Sequence, residues 1–134
     1  MDLVEYHRII RVEDETLLTN HDGLLKLWYE QTTQWYASGF SLSIIAVRIG
    51  VVPRKLPAAD LGLPALHSSK KVNRLVYLSR NGTGRFFTTT AEARNIDFSV
   101  LVATSGSLER VIFDLEPAKR VIGYDPEGTY PVIC

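Results

Sequence analysis

Asp22, Lys26 and Glu30 recur every four residues, and Arg48 follows in a short apolar run. Four-residue spacing on a helix puts side chains one turn apart on the same face, so Asp22 and Lys26 are placed for an ion pair. A lysine beside a carboxylate can hold an anionic or hydroxyl-bearing ligand. An aspartate, by contrast, is a weak base for an alcohol proton. Arg48 lies where it could line a ligand cavity or cap the end of a strand. Other candidates carry less chemistry. His7, His21 and His67 are scattered without metal-ligand spacing and have no cysteine partners, so no zinc site is expected. Glu13-Asp14-Glu15 reads as a solvated loop rather than a paired-carboxylate site. Gly82-Thr83-Gly84 is a lone G-x-G in a polar stretch, read as structural punctuation. Trp28, Tyr29 and Trp35 could stack on a ligand, but core or interface packing is the favoured reading.

The elements that would position these groups follow from periodicity. Residues 1–20 read as an irregular, acidic lead-in. Leu24, Leu25, Leu27, Trp28, Trp35 and Tyr36 predict a helix over 23–38, with Gly39 as its stop. Its apolar arc is wide enough to pack on two surfaces. Residues 41–48 are β-branched and almost continuously apolar, as in a strand covered on both faces of a parallel sheet. Pro53, Pro57, Gly62 and Pro64 make 50–66 a loop. Ser68 or Ser69 could cap a second helix running to about Ser79, with Val72, Leu75 and Val76 inward. Asn81–Gly84 reads as a turn, and 86–95 is ambiguous between strand and helix. Residues 98–103 read as another strand. A third helix begins near Leu115, with Pro117 in its first turn and Gly123 at its end. The order is α/β, with only two clear strands.

Composition bounds the function classes. The chain has 134 residues, 46% hydrophobic and 22% charged, with 15 Lys+Arg against 15 Asp+Glu. One domain at most is expected, burying roughly two-thirds of its unfolded surface. Zero net charge gives no attraction to nucleic acid or to an anionic membrane. The single cysteine, Cys134, excludes an internal disulfide and suggests a reducing compartment. Asp2, Glu5 and Arg8 interrupt any N-terminal apolar run, so no signal peptide is expected. No apolar stretch is long enough to span a membrane. Asn81-Gly82-Thr83 matches a glycosylation sequon by chance. A cytoplasmic protein is the expectation.

Several segments together resemble the extended short-chain dehydrogenase/reductases, the NAD-dependent epimerase/dehydratase family. That family writes Tyr-x-x-x-Lys on its active-site helix, often with Glu four residues later. The matching segment here is Asp22-Gly-Leu-Leu-Lys26-Leu-Trp-Tyr-Glu30. A following strand ends in an Arg-x-Gly-like turn, here Val47-Arg48-Ile49-Gly50. Leu66–Lys71 shares a serine with the helix opening Trp-x-Ser-x-x-Asp of the uronate-dehydrogenase-like branch. Phe98–Ser105 is similar to the strand before a Ser-Asn step, and Phe113–Pro126 to a closing helix ending in Leu-Gly-Tyr-x-Pro. The segments run in family order across residues 6–130.

The resemblance implies the C-terminal portion of a Rossmann-like doubly wound fold lacking the N-terminal dinucleotide-binding strands. Residues 1–50 would end the nucleotide fold and carry the active-site helix, and 51–134 would form a substrate-region segment. Lys26 would be the catalytic and cofactor-holding remnant, with Asp22 in the tyrosine position. Ile49 would face cofactor, and Val51 and Arg54 would lie toward substrate. In the family a tyrosinate moves the proton during hydride transfer, the lysine holds the nicotinamide ribose, and a serine polarises the substrate oxygen. This sequence has neither that tyrosine nor a glycine-rich βα turn for a pyrophosphate. No residue matches the catalytic serine. NAD is therefore expected only with a complementing domain, and the isolated chain is expected to be inactive. An alternative is a non-catalytic module pairing with an intact paralogue. Exposing four large side chains of strand 41–48 would forfeit roughly 6–12 kcal/mol, comparable to a domain's whole stability. The isolated chain is therefore expected either to self-associate through helix 23–38 and strand 41–48, or pair with a paralogue through that helix, or to be marginally folded.

Overall fold

The computed structural model describes residues 9–14, 20–52, 76–107, 111–127 and 129–130. Helix α1 (His21–Phe40) opens where the Asn20 side chain accepts from the Gly23 N–H at 2.8 Å. Such a cap satisfies one of the free amides of a first turn, and Asp22 complements the helix dipole there. The helix passes through Gly39, the expected stop. It ends instead at Ser41, which takes the left-handed conformation (φ 54°) and returns its N–H to the Ala37 carbonyl.

Strand β1 (Ile44–Ile49) pairs in parallel with β2 (Phe98–Ala103), with Ile44 opposite Phe98 and Ile49 opposite Ala103. Side chains alternate across a strand. Arg48 reaches Glu30 of α1, while Ile45 and Val47 pack toward the buried cluster of Leu78, Phe86, Leu101, Ala103, Ala118, Ile122 and Tyr124. Helix α1 therefore covers one face of the sheet. Helices α2 (Arg80–Glu92) and α3 (Glu116–Ile122) supply cover on the other. The strand expected to be covered on both faces is so covered, but residues 44–48 are only half-buried and Ile49 is exposed.

Beyond their paired ends the strands splay, and residues 76–78 fill the gap. The Val51 N–H donates to the Val76 carbonyl, Leu78 N–H to Val51 O, and Ser105 N–H to Tyr77 O. Gly50 makes this possible, because a Cβ there would lie 2.2 Å from the Val76 carbonyl oxygen. The second helix expected to run to about Ser79 is thus corrected at its described end: Val76–Ser79 are not helical. The remainder of that expected helix, and the loop of 53–66, lie outside the described residues.

Asn81–Gly84 is not a turn but the first turn of α2. Ser79 caps that helix, its Oγ accepting from the Gly82 N–H at 2.8 Å. The ambiguity over 86–95 resolves to helix as far as Glu92. Thr89 and Thr90 return their hydroxyls to the Phe86 carbonyl at 2.9 and 2.7 Å, so a threonine run that favours strand is satisfied within the helix. Helix α3 matches expectation. Pro117 stands in its first turn, and Gly123 (φ 69°) ends it with an N–H to Lys119 O. Short parallel pairings complete the described structure: β3 (Gly106–Ser107) with β4 (Thr129–Tyr130), and Ile10 with Phe113.

Candidate functional site

Helix α1 and strand β1 border a groove of about 720 Å³. The groove exists because α1 rises from one face of the sheet while β1 is an edge strand, so the wall beyond β1 is missing among the described residues. Asn20, Asp22, Lys26, Tyr29, Glu30 and Thr33 come from the helix, and residues 44–49 from the strand.

Lys26 stands on the rim. Its Nζ donates to Asp22 Oδ2 at 2.6 Å, and both side chains are 73% exposed. The spacing-based expectation of a helical ion pair is realised in that geometry. One turn further on, Glu30 takes a different partner. Arg48 donates to it in a fork, Nη2 to Oε1 at 2.7 Å and Nε to Oε2 at 3.0 Å. These side chains are 34% and 19% exposed, so this pair is the better shielded of the two. The hydrogen bonds to Glu30 hold the Arg48 guanidinium above its ordinary value, burial opposes them, and the charges of Glu30 and Glu13 add to the rise. Arg48 is thus fixed as a cation clamping the end of β1 to α1.

Ile49 is exposed and lines the groove. Val51 lies just past it, exposed at its side chain and tied through its backbone to Val76 and Leu78. Arg54 is outside the described residues. Lys26 and Ile49 therefore share one groove, while Val51 sits beyond its strand end. The Glu30–Arg48 pair was not foreseen as a contact. Its signal was the β1 arginine alternating onto the face that α1 covers.

The groove offers little for proton transfer. The Thr33 hydroxyl is committed to the Tyr29 and Glu30 carbonyls at 2.9 Å each. Tyr29 is 70% exposed. The Gly82 amide is satisfied by Ser79, so the G-x-G segment is a capped helix turn and not a phosphate cradle. Among the described residues no cluster of His, Cys, Asp or Glu could hold a metal ion.

A second polar cluster lies under α2. Ser105 Oγ accepts from the Ser79 N–H at 3.0 Å, and a Cβ on Gly82 would lie 3.2 Å from both Ser105 Oγ and the Tyr124 hydroxyl. Burial pushes the Tyr124 phenol up, partly opposed by Arg85 and reinforced by Glu127. These groups pack the helix onto the sheet, and Tyr124 also lines a small cavity of about 240 Å³ beside α3.

Trp28, Trp35 and Phe40 are 56%, 64% and 60% exposed, with Tyr36 stacked on Phe40 at 5.5 Å. Of the core or interface packing expected for Trp28, Tyr29 and Trp35, the core half is corrected: α1 buries Ala37 inward and presents these aromatics outward. A wide apolar arc needs two covers, and the described chain supplies one. No described helix is long and apolar enough to cross a membrane.

No protein-family model matches the chain, and no curated protein matches its sequence. Among solved structures, its fold is similar to that of uronate dehydrogenase from Agrobacterium tumefaciens, with a TM-score of 0.71 at 13% sequence identity. The similarity covers 90% of this chain and 40% of that one, so the chain spans about two-fifths of the protein it resembles. At that identity the likeness shows the fold alone, a small Rossmann-like α/β arrangement with a parallel sheet.

Proposed function

We propose that this chain is the C-terminal part of an NAD-dependent short-chain dehydrogenase/reductase of the epimerase/dehydratase type, inactive without a dinucleotide-binding half. One observation carries this reading. Lys26 stands on a helix that walls a groove beside an edge strand, within a fold similar over 90% of its length to a uronate dehydrogenase. In this reading residues 1–50 end the nucleotide fold and 51–134 belong to the substrate region. Lys26 and Ile49 would face NAD, and Val51 and Arg54 a sugar-acid substrate. Asp22 holds Lys26 by charge and does not replace a tyrosinate.

Thermal denaturation with NAD tests this directly. A site for NAD in the chain alone would add about 2.7 kcal/mol at 100 times the dissociation constant. The expected result is no shift for the chain alone and a shift when a half carrying the glycine-rich turn is co-expressed. Oxidation of a sugar acid by the isolated chain would refute the proposal.

The second reading is a non-catalytic module that pairs with an intact relative through α1. The exposed aromatics of that helix favour it. It predicts co-purification with the relative and no response to NAD in any combination.

A further inference from the structure

We propose that Asn81 is a modification site, a latent point of deamidation that the Ser79 cap holds shut and that opens with the first turn of α2. Its chemistry does not depend on the oxidoreductase reading.

Asparagine loses its side-chain ammonia when the next main-chain nitrogen attacks the carboxamide carbon. A glycine in that next position permits this best, because no Cβ obstructs the approach and its backbone turns freely. Of the four asparagines in the chain, Asn81 alone precedes a glycine. It is exposed in the first turn of α2, so water reaches its side chain. The pair Asn81-Gly82 is therefore labile by sequence, and the fold decides whether it reacts.

The Gly82 N–H donates to Ser79 Oγ at 2.8 Å, and Gly82 itself is buried. A Cβ on Gly82 would lie 2.8 Å from Ser79 Oγ and 3.2 Å from both Ser105 Oγ and the Tyr124 hydroxyl. Walled in this way, the nitrogen can neither give up its proton nor swing onto Asn81 Cγ while α2 is seated. The next amide is held differently, since the Thr83 N–H donates to the Ser79 carbonyl at 2.8 Å. The Gly82 amide is thus guarded by a side chain, that of Thr83 by backbone. Terminal turns open locally without global unfolding, and the reaction runs in that open population.

In the open turn the Gly82 nitrogen loses its proton and bonds to Asn81 Cγ, the Cγ–Nδ2 bond breaks and ammonia leaves. Solvent water then opens the cyclic imide. Attack at Cγ gives aspartate on an unaltered chain. Attack at the main-chain carbonyl gives isoaspartate, with the chain rerouted through the side chain. The two products differ in consequence. The first turn of α2 holds no acidic residue, so an aspartate there suits the helix dipole. Isoaspartate inserts a methylene before Gly82 and carries its amide off Ser79, so α2 no longer seats Phe86 against Tyr124 as before.

Peptide mapping by mass spectrometry of the whole chain, aged at mildly alkaline pH, tests this. The expected result is exchange of ammonia for water at Asn81, about tenfold or more slower in buffer than in guanidinium chloride. Ser79→Ala removes the bond to Gly82 and keeps that to Thr83. It should accelerate the change about fivefold, the rise in open population that loss of such a cap gives. Gly84→Ala alters neither the Asn-Gly pair nor the cap, and by firming the helix it should slow the change about threefold. Asn81→Gln should abolish it. Isomerisation at Asp22-Gly23 leaves mass unchanged and does not interfere. Ammonia loss as fast in buffer as in denaturant overturns the proposal. So does a rate that neither Ser79→Ala nor Gly84→Ala moves, or an equal mass change in Asn81→Gln.

Discussion

Two ion pairs on neighbouring turns of one helix differ in what surrounds them, and that difference sets what each contributes. Lys26–Asp22 is open to water, so replacing either residue with alanine should change stability by less than about 0.5 kcal/mol. Glu30–Arg48 is bidentate and largely shielded, and removing one partner leaves the other charge without its hydrogen bonds. Glu30→Ala should therefore cost about 2 kcal/mol in urea denaturation, allowing for the exposure that Arg48 retains. The raised Arg48 value places loss of its contribution far above neutral pH, so its share stays constant across the neutral range. Tyr124 behaves differently. A phenol raised by burial stabilises the fold fully below the ordinary tyrosine value of about 10, and that contribution falls as pH climbs through the folded value. Melting temperature should decline on the alkaline side above that point, and Tyr124→Phe should flatten the decline. An unchanged alkaline limb in Tyr124→Phe would refute the assignment.

Within α2 two glycines only two residues apart, and so on roughly opposite sides of the helix, make opposite predictions. At Gly84 a Cβ would meet nothing within 4 Å, so Gly84→Ala should stabilise by about 0.5–1 kcal/mol, the ordinary gain inside a helix. At Gly82 a Cβ would lie 2.8 Å from Ser79 Oγ and close to Ser105 and Tyr124, so Gly82→Ala should cost roughly 1–3 kcal/mol. Paired denaturation curves decide it, and equal effects would mean that α2 does not seat on Ser105 and Tyr124 as described. This helix also explains why the segment reads poorly in sequence. Asn81-Gly-Thr-Gly84 carries every local mark of a turn. Only the Ser79 cap, the internal threonine bonds and the burial of Phe86 against Tyr124 turn it helical. Helix 116–122 was legible because its proline and glycine act locally, at positions where no tertiary contact is needed to interpret them.

Across the whole molecule the imbalance is between a well-packed interior and an uncovered helix. The core lies on the α2/α3 side of the sheet, while α1 exposes both tryptophans of the chain. Tryptophan emission in the native state should therefore be red-shifted and readily quenched by iodide, changing little on unfolding. Native emission that is strongly blue-shifted would mean that something covers the outer face of α1.

The sequence by itself determined α1, the parallel pair of strands and α3, together with the likeness of their order to a Rossmann-type fold. Those features are set by periodicity, by β-branched runs and by local capping chemistry, which act over a few residues. Tertiary structure alone decided that Glu30 leaves the Lys26 turn to grip Arg48, that a G-x-G segment is helix, and that the wide apolar arc of α1 is covered on one side only. Each of those outcomes depends on which surface meets which, and contacts between residues distant in the chain leave no periodic trace in the sequence.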